Sequence, residues 1–209
     1  MNTIILILVV ALIVWISGTI LVIRGIEEPR YTVVAEREGY EIREYASYIV
    51  AEVEVDWDMR DALNSGFRQL AGYIFGGNVS ESQVAMTVPV MDRGVVSEKI
   101  SMTTPVMDIS AKSGKHIISF TMPSEYVLAT LPKPNNANIR LRVVEPSKRA
   151  VLRYSWYATE SRVEANKKLL SEALDRDGYQ MKWEMISAQY NPPASFPLLR
   201  RNEIMVGIE

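Results

Sequence analysis

Residues 4–23, IILILVVALIVWISGTILVI, run for twenty positions without a charged side chain. At about 1.5 Å rise per residue, a helix of that length matches the ~30 Å hydrocarbon core of a bilayer. A cleaved signal peptide normally shows a basic n-region, a shorter apolar run and a small-x-small cleavage site. Here Met1, Asn2 and Thr3 carry no basic side chain, and the run is long. The segment therefore reads as an uncleaved single-pass anchor with a short linker (1–27), ahead of a domain over 28–209. Arg24, Arg30 and Arg37 follow the span closely. The positive-inside rule then favours a cytoplasmic domain with the N-terminus outside.

From Tyr31 the pattern changes to short alternating runs. Residues 31–36, 40–45 and 48–55 alternate apolar and polar side chains and are rich in β-branched and aromatic types, which predicts half-buried strands. Asp58 suits an N-cap for a helix to about Phe75, with Met59, Ala62, Leu63, Phe67, Leu70, Ala71 and Ile74 at helical spacing. GlyGlyAsn at 76–78 stops it. Further strands are predicted at 116–122, 139–145, 149–157, 183–190 and 203–208, and a second helix from Glu160 to about Asp177. The order is strand–strand–helix–strand–strand, repeated with a period of roughly 80–90 residues. Such a repeat predicts an α+β fold: a distorted antiparallel β-barrel or twisted sheet with two helices, built from a duplicated ββαββ half. A cleft between related halves is a common place for a small-molecule site.

Composition removes much chemistry. With no cysteine there is no disulfide, thiolate nucleophile or Cys-ligated metal. With one histidine, His116, multi-histidine metal sites and most Ser-His-Asp arrangements lack material. A net charge of −2 gives no general reason to bind nucleic acid, and Arg200-Arg201 is too short a patch. Glu52, Glu54 and Asp56 share one strand face and read as a solvated row. Asn78-Val79-Ser80 matches a glycosylation acceptor, of use only to a eukaryotic luminal domain.

MTVPVMD at 86–92 returns as MTTPVMD at 102–108. Val84, Met86, Val88 and Val90 share one face of an extended chain, as do Ile100, Met102, Thr104 and Val106. The doubled segment reads as a hairpin across 92–99, with its methionines as packing rather than ligands.

These motifs resemble, in order, those of the SOUL haem-binding protein family. They are GluProArgTyr (28–31), TyrGluIleArgGluTyr (40–45), GlyGlyAsn (76–78) and the two MT-x-PV segments. SFTMPSEY (119–126), LPKPN (131–135), and YNPP with RRNE (190–203) complete the set. The resemblance covers residues 28–209 and implies a distorted barrel built from a repeated half. It also implies reversible binding of haem or another tetrapyrrole, with no settled chemistry. By the same resemblance the ring lies between the first helix and the loop before the last strand. That helix offers Asn64, Phe67, Arg68, Ala71 and Gly72; the loop offers Ser195, Phe196, Leu198 and Arg200.

Phe67, Phe196 and Leu198 would supply an apolar slot, and Arg68 with Arg200 cations for the propionates. Core packing is the alternative for Phe67 and Ala71, which fall on the helix's apolar stripe. Asn64 and Gly72 stand where relatives carry basic residues. Some relatives also carry a ligand histidine near this helix, and this chain has none there. His116, far away in sequence, reads as an exposed strand-end residue and only a weak candidate for iron. Weak or absent protein ligation is the expectation.

The function these features predict is a membrane-anchored tetrapyrrole-binding protein acting as carrier, buffer or sensor. A module for other apolar ligands or a protein partner is the alternative, by fold analogy with effector-binding domains of bacterial multidrug regulators. A haem-modifying enzyme ranks third, because the sequence names no acid, base or nucleophile.

Overall fold

The structure is a computed structural model and describes residues 2–56, 58–80, 97–110 and 114–209. Three helices carry it: α1 (Asn2–Ile23), α2 (Met59–Ile74) and α3 (Glu160–Asp177). The strands are β1 (Tyr31–Arg37), β2 (Tyr40–Tyr45), β3 (Tyr48–Val55), β4 (Asn78–Val79), β5 (Val106–Ser110) and β6 (His116–Thr121). After them come β7 (Lys133–Pro134), β8 (Arg140–Val144), β9 (Ser147–Tyr154), β10 (Ile186–Gln189) and β11 (Asn202–Gly207). Among the described residues, nine of these form one curled antiparallel sheet in the order β1-β2-β9-β11-β10-β5-β6-β3-β8. β4 and β7 pair separately.

The duplication is written in that order. Exchanging β2 with β8, β3 with β9, β5 with β10 and β6 with β11 maps the eight-strand core onto itself. The two halves meet at the β5–β10 ladder, where Met107 faces Ala188. Each half lends its first strand to the other, β2 pairing with β9 and β8 with β3. The sequence carries the ββαββ repeat, but this exchange is a long-range pairing that local alternation does not encode. β1 is an addition on the outer edge of β2.

Both domain helices lie on one face, each over its own half. Beneath α2 sit Ala51, Val53, Ile118 and Phe120, and beneath α3 sit Ile42, Ala150, Leu152, Ile204 and Val206. The Asp58 carboxylate accepts from the Asp61 N–H at 3.1 Å and caps α2 as expected. The buried stripe of α2 differs from prediction: it is Met59, Ala62, Gly66, Leu70, Tyr73 and Ile74, while Phe67 sits outside it, 39% exposed. Gly66 belongs there because a Cβ would fall 2.5 Å from Ile118 Cγ1, so its absence lets α2 seat closely on β6. The opposite face packs a smaller cluster around Tyr45, Val50, Met107, Val151, Ile186, Tyr190 and Met205.

Three expectations change. The first MT-x-PVMD copy lies outside the described residues. The second is a strand only from Val106, and both its edges are occupied, by β6 and β10, so 106–110 cannot pair in a hairpin with the first copy. Ile100 is buried while Met102, assigned to the same face, is exposed, because 100–105 is not a strand. His116 opens β6 but is only 9% exposed, and its Nδ1 lies 2.8 Å from Asp108 Oδ1. Asn78 is buried as well. Its amide donates to the Tyr73 and Glu98 carbonyls, so it is no glycosylation acceptor in the fold.

Candidate functional site

Helical spacing sets Asn64, Phe67, Arg68 and Ala71 on one side of α2, three and four residues apart. Asn64, Phe67 and Arg68, with Asp61 and Ser65, line a cavity of about 600 Å³. The Phe67 ring meets Phe120 edge to face at 5.3 Å between centroids, which fixes its position while leaving one side open.

A second cavity of about 640 Å³ lies between the starts of α2 and α3. Its walls include Met59, Leu63, Tyr157, Thr159, Gln189 and Arg200, and Asp61 is common to both cavities. The structure thus brings Arg200 to the N-terminal end of the α2 surface that carries Phe67.

The loop residues take different places. Phe196 packs against Trp15 of α1, ring centroids 5.1 Å apart, and its N–H donates to Thr19 Oγ1 at 2.9 Å. Leu198 is 61% exposed within a short 3₁₀ turn, Pro197–Leu199. Ser195 is buried. Arg200 is 8% exposed; its guanidinium lies 4.5 Å over the Tyr157 ring and donates to the carbonyls of Pro192, Pro193 and Ser195. Burial lowers its pKa from the usual arginine value. The cation expected for a propionate is thus also the clasp of its own loop.

The sequence reading missed two features on the opposite face of the sheet. One is a buried ion cluster. Glu203, fully buried, accepts from Arg43 Nη1 at 3.1 Å, Arg201 Nε at 2.9 Å and Tyr190 Oη at 2.7 Å. Arg201 also reaches Glu28, at the start of the 28–209 domain, at 2.8 Å, and Arg43 reaches Glu41 at 2.7 Å. Burial works to lower the Arg43 pKa, but Glu203 and the hydrogen bonds outweigh it and the value is raised. Burial and the Glu203 charge push the Tyr45 phenol up to about 12.

The other feature is a cavity of about 750 Å³ walled by Ile109, Val144, Arg149, Trp183, Ile186 and Ile208. Trp183 covers Gly207, where a Cβ would fall 2.1 Å from the ring. The alternation of β9 and β10 exposes no signal for this cavity, because it arises from the curl of the whole sheet.

The profile of SOUL heme-binding proteins matches residues 26–207. The chain belongs to the SOUL family. Among curated proteins none matches it significantly. The SOUL domain is similar in fold to the crystal structure of the EcmrR C-terminal domain, with TM-score 0.53 and 11% identity over 86% of this chain and 98% of that one. It is also similar to EcmrR in a cryo-EM complex with DNA, with TM-score 0.57 and 9% identity over 81% of this chain and 57% of that one. Identities this low carry the fold alone. Family membership supports haem or tetrapyrrole binding. α1 is long and apolar enough to cross a membrane, a test that a signal sequence near the N-terminus also passes.

Proposed function

We propose that this protein is a membrane-anchored carrier, buffer or sensor of haem or another tetrapyrrole, tethered through residues 4–23 with the 28–209 domain on the cytoplasmic side. The observation that carries the reading is the half-exposed Phe67, set by Phe120 beside a cavity of ring-sized volume, in a SOUL-family domain. In it the ring lies along α2 against Phe67 and the small Ala71. Asn64 and Arg68 meet the polar edge, and Arg200 and Leu198 border the end nearest the loop.

These residues fit a non-covalently held ring: an apolar face, a nearby guanidinium and a shallow opening. Haem supplies iron chemistry when bound, and no described histidine stands on the α2 stripe to ligate it. His116 stands on β6, only 9% exposed and held at Nδ1 by Asp108, and weak or absent axial ligation is part of the proposal.

Titrating the full chain in detergent with hemin is expected to give a saturable Soret change near one equivalent. A linear, unsaturated response at micromolar protein would overturn the reading. A second reading, a module for another apolar ligand, is favoured by the 750 Å³ cavity beside Trp183. Mass spectrometry of co-purified ligand separates the two.

A further inference from the structure

The 192–200 loop is built unlike an ordinary surface loop. An irregular segment in water leaves its carbonyls to solvent, whereas one placed in lipid must satisfy them within the protein. Here all six carbonyls from Pro192 to Pro197 accept hydrogen bonds from protein groups. Pro192, Pro193 and Ser195 accept from the Arg200 guanidinium. Ala194 accepts from Trp15 Nε1 at 2.8 Å, Phe196 from the Leu199 N–H at 3.0 Å, and Pro197 from the Trp156 N–H at 2.9 Å. Three prolines, at 192, 193 and 197, remove donors outright.

The same loop presents apolar side chains outward. Leu198 and Leu199 are exposed, and so are Trp156 and Tyr157 beside them. Trp156 is held at φ 79°, a left-handed conformation that is strained for a non-glycine residue. Its N–H to Pro197 and its carbonyl to Asn202 keep it there. The Arg162 guanidinium lies 6.0 Å from its ring, an arrangement suited to anionic headgroups. Trp and Tyr are the side chains enriched at the bilayer–water boundary.

Depth follows from α1. The loop touches Trp15 and Thr19, which lie about 12 and 6 Å along the helix axis before its end at Ile23. The segment between α1 and β1 keeps the domain there: Glu27 accepts from the Ser124 N–H, and Glu28 pairs with Arg201.

We propose that the 192–200 loop, flanked by Trp156 and Tyr157, inserts into the adjoining leaflet of the bilayer that α1 spans, so that the cleft lined by Tyr157 and Arg200 opens toward lipid. The proposal rests on reading α1 as a membrane span, and its ligand is one that partitions into lipid.

The chain has no cysteine, so single cysteines report position cleanly. Val14→Cys marks α1 and Leu198→Cys the loop. Glu38→Cys marks the far end of α3, where Glu38 lies 3.6 Å from Arg176. Each full-length variant carries a nitrobenzoxadiazole label and is reconstituted in phosphatidylcholine–phosphatidylglycerol vesicles containing spin-labelled lipid. Leu198→Cys is expected to show blue-shifted emission and quenching several-fold above that at Glu38→Cys, approaching Val14→Cys. Quenching at Val14 with none at Leu198 overturns the docking alone. No quenching at Val14 overturns the membrane span and the docking with it.

Discussion

Glu203→Ala tests the buried ion cluster that closes the sheet's far face. The carboxylate is fully buried and accepts from Arg43, Arg201 and Tyr190 at 2.7–3.1 Å. Removing one partner of a buried pair costs about 3–5 kcal/mol, mostly because a charge is left unpaired. Arg43 keeps Glu41 at 2.7 Å and Arg201 keeps Glu28 at 2.8 Å, so neither guanidinium is wholly orphaned. The lower end, about 3 kcal/mol, is therefore expected.

Urea unfolding of the full chain in mild detergent, followed by tryptophan fluorescence, reads this as a lower midpoint at constant slope. Replacing the whole cluster, with Arg43→Met, Arg201→Met and Glu203→Leu together, is expected to recover most of the loss, since apolar side chains of similar volume need no counter-charge. A single variant losing under about 1 kcal/mol, or a triple variant no better than the single, refutes the reasoning.

Further outcomes follow from other parts of the fold. Gly66→Val puts a side chain into Ile118 and is expected to destabilise by about 2–3 kcal/mol, measured by thermal melting. Asp58→Ala removes the α2 cap and costs about 1 kcal/mol in the same assay. Tyr45, with its phenol raised to about 12 against an ordinary value of 10, stays protonated in the fold where the unfolded chain ionises. Its contribution is complete below pH 10 and lost as pH rises through 12, so Tyr45→Phe is expected to flatten the fall in stability across that window.

Local pattern carried the elements because their causes are local. Asp58 before an apolar stripe, GlyGlyAsn at 76–78 after it and the alternation of 40–55 are each readable within one turn or strand. What escaped depends on residues distant in sequence. Arg43 and Glu203 alternate with Ile42 and Ile204, so they occupy the face opposite α3, which in a flat sheet would be solvated. The curl of the sheet and the docked segment before β1 bury that face instead. His116 was misread for the same reason: its partner Asp108 comes from a strand whose pairing the sequence does not announce. At the site, the family resemblance grouped Asn64, Phe67 and Arg68, but nothing local showed that Arg200 turns back on its own loop or that Phe196 meets Trp15.

Hemin affinity compared across three full-length proteins tests the central claim most directly. Removing the Phe67 ring is worth on the order of a tenfold loss of affinity if the tetrapyrrole lies along α2. The account predicts that loss for Phe67→Ala, with Trp183→Ala at the far-face cavity matching wild type. Undiminished binding by Phe67→Ala together with a tenfold loss in Trp183→Ala would contradict it.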